Sequence, residues 1–312
     1  MNTRSLSWFA LPLLLLLTGC PESGGGDGGF GNGATGIAYV VNTGPNEIST
    51  YTIDVVGTFR SAGTVALADV PSSIAVSSDS AFAFVGTNNG VHAFRVNSVT
   101  GGLASVSGSP FSAGNNFTAV TVSQNSRFLY VANNNGTVDA YSINATTGSL
   151  TLIETENVGT SPSGVAVSPN GSFLYVSNQD SNNVSAFTIN ATTGSLTLIE
   201  TENVGTSPSG VAVSPNGSFL YVSNQGSNNV SAFTINGTTG ALTGIGVPVA
   251  AGTSPSGITI EPDGQFLYVS NRGGGGNVSG YRITTGTGEL ISLGAAFPAG
   301  TTPVGIATPG RP

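Results

Sequence analysis

Apolar residues in this chain come in short runs of four or five, bounded by Gly, Ser, Asn or Thr, and one such run recurs. It reads Tyr39-Val40-Val41-Asn42, then Phe82-Ala83-Phe84-Val85, Phe128-Leu129-Tyr130-Val131, Phe173-Leu174-Tyr175-Val176, Phe219-Leu220-Tyr221-Val222 and Phe266-Leu267-Tyr268-Val269. The aromatic residues before the valine, at 39, 84, 130, 175, 221 and 268, are separated by 45, 46, 45, 46 and 47 residues. Such regular spacing marks one supersecondary unit used six times. Two units are near copies, since residues 143–190 match 189–236 except for Asp180 against Gly226.

The copied unit predicts four strands. Residues 163–167 form the first, and Ser168-Pro169-Asn170-Gly171-Ser172 turns the chain into the second at 173–177. Asn-Gly is a strong hairpin signal because both residues accept positive φ. A loop at 178–183 leads to a third strand at 184–189, and Asn190-Ala191-Thr192-Thr193-Gly194 leads to a fourth at 196–202. On the second strand Phe173 and Tyr175 point one way while Leu174 and Val176 point the other. Both faces are therefore apolar and must both be covered, unlike a half-solvated sheet. Sheets buried between copies of themselves predict an all-β fold, a β-propeller of four-stranded antiparallel blades, six by count. The chain opens with a second-type strand and ends with a first-type strand, Pro303-Val304-Gly305-Ile306-Ala307. The C-terminal strand is thus expected to complete the N-terminal blade and close the ring.

The first twenty residues read differently. Arg4 precedes a mostly apolar run at 6–17, and Leu17-Thr18-Gly19-Cys20 ends it. The run is short for a membrane span and has the form of a secretory signal. Its last four residues resemble the lipobox of bacterial lipoproteins, which implies lipidation of Cys20, the single cysteine. The expected organisation is a signal peptide at 1–19, a lipidated Cys20 with a glycine-rich tether to residue 36, and one propeller domain at 37–312. A flexible tether of this length spans roughly 20 to 25 Å. The expected location is the bacterial cell envelope, at the outer membrane or cell surface, with the membrane a partner through the N-terminal lipid.

Charge narrows the partners. The chain carries 7 basic residues against 15 acids, a net charge of −8, and none of the basic residues is lysine. That balance argues against nucleic acid and against an anionic membrane surface as a ligand. A small molecule, glycan or protein bound on the loop face remains.

Candidate chemistry is sparse. His92 is the only histidine, and its counterpart in the next unit is Asp139, with Arg95 three residues along. A histidine base with a carboxylate and an arginine suits attack of water on an anionic substrate, so His92, Arg95 and Asp139 are the candidate catalytic residues. The loops after the second strands are rich in asparagine, and Asn133, Asn178, Asp180, Asn224, Asn271 and Arg272 are the candidate ligand-binding residues. Tight turns requiring positive φ account for the same composition. Glu154 and Glu156, copied at Glu200 and Glu202, read as charges that keep an outer sheet edge soluble. No zinc-type His/Cys cluster, phosphate-binding loop or Gly-x-Ser-x-Gly elbow occurs in the sequence, so neither metal nor cofactor is expected.

Phe173-Leu174-Tyr175-Val176-Ser177-Asn178, then Asn183-Val184-Ser185-Ala186-Phe187 and Thr193-Gly194-Ser195-Leu196, resembles the blade pattern of lactonase-type propellers. This group includes 6-phosphogluconolactonase-like proteins and surface-layer YVTN propellers. The resemblance implies seven blades, an alternative to the six counted. The lipobox, the tether and the copied blade point to an envelope-anchored binding or scaffolding module, and the resemblance implies the alternative, a hydrolase of sugar lactones.

Overall fold

Six small antiparallel sheets arranged as a six-bladed β-propeller make up the structure, a computed structural model. It describes residues 13–18, 34–54, 58–111, 116–299 and 303, with backbone alone at 13–18 and 34–35. No helix in the described residues is long and apolar enough to cross a membrane.

The fourth sheet shows the unit: Pro162–Val167 innermost, then Phe173–Asn178, Asn183–Ile189 and Leu196–Asn203 outermost. These bounds lie within about one residue of those expected from the turns. The second sheet is built from Pro71–Val76, Phe82–Thr87, Val91–Val96 and Leu103–Ser105, and the third from Phe117–Val122, Phe128–Asn133, Thr137–Ile143 and Leu150–Asn157. The fifth opens with Pro208–Val213, Phe219–Asn224 and Asn229–Ile235, and the sixth with Pro255–Ile260, Phe266–Asn271 and Asn277–Ile283. In both, the outer edge is divided between two short strands.

Parity sets the packing. Phe173 and Tyr175 of the fourth sheet lie against Leu220, Val222 and Phe233 of the fifth, while Leu174 and Val176 lie against Phe128 and Tyr130 of the third. Each second strand therefore spends one face on each neighbour, and in the second to fifth sheets all six of its residues are buried.

A polar latch accompanies every tyrosine in this row that faces a described neighbouring turn. Tyr39 Oη donates to Gly101 O at 2.7 Å, Tyr130 to Gly194 O at 3.0 Å, Tyr175 to Gly240 O at 2.9 Å and Tyr221 to Gly288 O at 2.8 Å. The accepting glycine closes the turn before the next sheet's outermost strand. It must be glycine for two reasons: Gly194 has φ of +79°, and a Cβ there would lie 2.3 Å from the Phe128 ring. The second sheet carries Phe84 where the others carry tyrosine. There Arg95 stacks on Phe82 at 4.9 Å and donates to Thr146 O, in the same turn that a tyrosine would engage. Outer strands are tied likewise, since Glu154 Oε1 accepts from Leu196 N and Glu200 Oε1 accepts from Leu242 N. Glu154 and Glu200, expected to guard an edge, thus bond to the neighbouring sheet.

One junction differs. Apolar clusters fill the five interfaces from the first sheet to the sixth, and none joins the sixth to the first among the described residues. Ala34–Asn42, Glu47–Asp54 and Phe59–Ala66 form three strands of the first sheet. Its innermost place is held by Leu13–Thr18, paired to the second strand from Leu13 opposite Val41 to Thr18 opposite Gly36. Residues 13–17 of the apolar run read as a signal peptide therefore pair within this sheet, and the rest of the run lies outside the described residues. Residues 304–307, expected to fill that place, lie outside the described residues.

Two predictions follow from the latch. Tyr175→Phe leaves the buried Gly240 carbonyl without its donor and should cost about 1–2 kcal/mol, whereas Gly194→Ala, strained and overpacked at once, should cost more than about 2 kcal/mol; denaturant unfolding checks both. Burial also raises the phenols of Tyr39, Tyr130, Tyr141, Tyr175 and Tyr221 well above their ordinary value near 10. Glu154 and Glu200 add to the rise at Tyr130 and Tyr175, and the Asp139 carboxylate adds to it at Tyr141. Because the folded values are raised, this stabilisation is complete below about pH 10 and is lost as pH climbs toward the folded values. Tyrosinate absorbance should accordingly appear together with loss of fold in an alkaline titration, not before it.

Candidate functional site

Innermost strands begin, and second strands end, at the same end of the ring: Pro162 lies opposite Asn178, Pro208 opposite Asn224 and Pro255 opposite Asn271. The loops after the second strands gather there. Each of the last four second strands ends in an asparagine, and Asn133, Asn178, Asn224 and Asn271 are fully buried. Asn178 Nδ2 donates to Asn183 Oδ1 at 2.8 Å and Ser185 Oγ at 3.0 Å, and Asn224 repeats this with Asn229 and Ser231. Asn271 engages Asn277 and Ser279, and Asn133 engages Thr137 and Asp139. The Nδ2 donors of these four amides are thus spent within their own loops, while each buried Oδ1 has no hydrogen-bond partner among the described residues.

The residue after each asparagine lies at the mouth. Asn134, Gln179, Gln225 and Arg272 follow one another around the ring, and each main-chain N–H donates to the crossing loop of its own sheet: to Asn116, Ser161, Ser207 and Ser254. All four acceptor residues have positive φ, between 50° and 66°, which aims their carbonyls at the rim. Gln179 Nε2 donates to Gln225 Oε1 at 3.3 Å, so this position is close enough for side chains of neighbouring blades to meet. Arg272 is next in order, half-buried. Among the described residues the ion pairs are Arg60 with Asp54 and His92 with Asp69, so no acid neutralises Arg272. The signal in the sequence was variation outside the copied pair: the position is Gln179 and Gln225 in the copies but Asn134 and Arg272 in the blades on either side.

Asp180 lies beside this ring, exposed, and accepts from Ser161 Oγ at 2.5 Å. The candidate catalytic residues make separate contacts. His92 Nε2 lies 2.9 Å from Asp69 Oδ2, in the loop entering the second sheet, and its ring stacks on Phe94 at 6.4 Å. Asp139 accepts from Thr155 Oγ1 at 2.6 Å and from Asn133 Nδ2 at 2.8 Å. Arg95 reaches the neighbouring turn described above, at the end of the strand away from the mouth. The histidine thus has a carboxylate partner, Asp69 and not Asp139, which sequence periodicity could not identify because the crossing loop carries threonine at this point in the fourth to sixth sheets.

Among the described residues no group of three metal-ligating side chains occurs. At the opposite end of the ring a hollow of about 370 Å³ lies between turns of the fifth and sixth sheets, with Pro215, Asn216, Pro262 and Gln265 in its lining and no basic side chain.

A ring of small antiparallel sheets packed face to face is a β-propeller. Residues 104–209 and 202–306 match the family described as Lactonase, 7-bladed beta-propeller, and the chain belongs to that family. Its six sheets are one fewer than the family's description states. Among solved structures, a candidate 6-phosphogluconolactonase from Bacteroides uniformis superposes with a TM-score of 0.72 at 20% identity, over 94% of this chain and 84% of that one. Another from Bacteroides fragilis gives 0.71 at 18% identity, covering 96% and 99%. The periplasmic gluconolactonase PpgL of Pseudomonas aeruginosa gives 0.53 at 17% identity, covering 95% and 98%. At these identities the likeness is one of fold. No curated protein matches the chain.

Because His92 and Asp69 join the third strand of the second sheet to its entry loop, Asp69→Asn should loosen that loop. The expected result is faster amide exchange at residues 67–70, with the fourth and fifth sheets unchanged.

Proposed function

We propose that this protein is a hydrolase of sugar lactones that takes its substrate at the channel mouth, against Gln179, Gln225 and Arg272. The observation that carries this reading is the rim: adjacent blades bring amides within hydrogen-bonding distance, and the equivalent position of the next blade carries a guanidinium with no acidic partner among the described residues. Amides suit the hydroxyls of a sugar ring, and the guanidinium suits a carboxylate or phosphate on it. Family membership supplies the lactone. Hydrolysis needs a base for the attacking water and a donor for the developing oxyanion. His92, oriented by Asp69, is the imidazole available for the first task. The scaffolding alternative has no feature at the mouth in its favour, whereas the rim suits a small polar ligand.

Export and lipidation belong to the same proposal, on the strength of Leu17-Thr18-Gly19-Cys20. The lipidated protein would sit in the cell envelope on its glycine-rich tether.

Purified protein should open aldonolactones, phosphorylated and plain, faster than buffer alone. Arg272→Ala should raise KM for a charged lactone about tenfold, the loss of one charge-assisted contact worth ~1.4 kcal/mol, and leave KM for a neutral one nearly unchanged. No activity on either class would defeat the hydrolase reading, and full activity of His92→Ala would remove the imidazole from it. Cys20→Ser should abolish labelling by radioactive fatty acid in a bacterial host.

A further inference from the structure

Two junctions of the ring are bridged, at the end away from the mouth, by an arginine of the chain itself. At the third to fourth junction Arg127 lies over the Phe128 ring at 5.2 Å and donates from Nη1 to Ala191 O at 3.3 Å and from Nη2 to Thr192 O at 3.2 Å. At the second to third junction Arg95, from the third strand, lies over Phe82 and donates to Thr146 O, the counterpart of Thr192 O. Two arginines rooted at different positions thus reach the same seat, an aromatic face beside exposed carbonyls of the next sheet's last turn. A planar guanidinium fits it, because one group can lie on a ring and donate in its own plane to two oxygens.

The fourth to fifth junction repeats this seat without an arginine of its own. Phe173 packs on Gly240 as Phe128 packs on Gly194, an added Cβ lying 2.3 Å from the ring in each case. The turns match as well. Asn236 Oδ1 accepts from Thr238 N and Thr239 N at 3.0 and 3.1 Å, as Asn190 Oδ1 accepts from Thr192 N and Thr193 N at 2.9 and 3.1 Å. Gly237 O and Thr238 O therefore stand where Ala191 O and Thr192 O stand, and no donor among the described residues reaches them. Ser172 occupies the place of Arg127 and Thr188 that of Arg95, both too short to span the junction. Space over the seat is open, since a Cβ added at Gly171 or Gly237 would meet nothing within 4 Å. The next junction differs, because Gly286 of its turn has φ of +88° where Thr192 and Thr238 are not left-handed.

We propose that the fourth to fifth junction binds a guanidinium group from outside the chain, the arginine side chain of a partner polypeptide. The chain itself shows which group the seat selects, and no carboxylate is needed: among the described residues none pairs with Arg127, which is held by the ring and the two carbonyls. A lysine ammonium reaches one carbonyl but cannot lie flat on the ring while serving both. The net charge of −8 favours the approach of a cationic partner over an anionic one. Because the seat lies at the end of the ring away from the mouth, its occupancy is independent of lactone chemistry.

A blocked tripeptide with arginine at its centre, acetyl-Gly-Arg-Gly-amide, is the probe, and the amide resonances of Gly171, Thr238 and Thr239 are the reporters. At millimolar peptide these should shift and saturate. The peptide with lysine at its centre should bind about fivefold more weakly, and the one with uncharged citrulline should leave the reporters unmoved. Ser172→Arg, which restores the residue type of the third blade, should fill the seat from within and abolish the shifts. Arg127→Ala should uncover the seat that the chain fills for itself, so that Thr192 and Thr193 respond to the peptide as well. The proposal is overturned if the arginine peptide leaves the reporters unchanged, if the lysine peptide shifts them equally, or if the shifts persist in Ser172→Arg. Methylguanidinium binding more tightly than the peptide would overturn the arginine side chain as the occupant.

Discussion

A tyrosine hydroxyl reaching the carbonyl of a glycine one blade away is the contact on which this ring depends. Hydrophobic packing alone would let neighbouring sheets slide, since leucine, valine and phenylalanine faces attract without direction. The Tyr175 to Gly240 bond fixes a distance and an angle, and it works only because the glycine turns left-handed and lets the Phe173 ring lie on its backbone. One residue type thereby sets two spacings, radial and rotational. The outer strands add a second tie through Glu154 and Glu200, whose carboxylates end on main-chain N–H groups of the next sheet.

The latch also explains residues that look chemical in the sequence. Arg95 invites comparison with His92 because three positions separate them, yet adjacent parity and strand length carry its head to the far end of the sheet. There it substitutes for the hydroxyl that Phe84 lacks. Asn178 and its equivalents look like amides offered to a ligand, but a loop with several tight turns takes up their Nδ2 donors, and only the buried Oδ1 of each is left without a partner among the described residues. At both places the demands of repeating a blade account for the side chain before any ligand does.

How far the sequence could be read follows the same division. Turns with Asn-Gly and second strands apolar on both faces give the four-stranded unit and its bounds, because those properties are local. The rim of Asn134, Gln179, Gln225 and Arg272 is not local. It depends on carbonyls of Asn116, Ser161, Ser207 and Ser254, each some eighteen residues earlier in the chain and held at positive φ. His92 likewise found its carboxylate in Asp69, which breaks the repeat where other sheets carry threonine. Periodicity identifies equivalent positions; it is silent about which non-equivalent loops they meet.

Repetition also limits where function can arise. Two blades whose first three strands and mouth loops differ only at Asp180 and Gly226 present nearly the same surface at the mouth, so a ligand with distinct ends cannot be oriented by them alone. Gln179 and Gln225 are equivalent, and their hydrogen bond joins two similar amides. Direction must come from a neighbour that breaks the pattern, and Arg272 does so at the same radius. Of the residues at this position, Asn134, Gln179, Gln225 and Arg272, the arginine alone carries a charge, so the copied pair contributes repeated amides to the rim and the sixth sheet contributes its asymmetry.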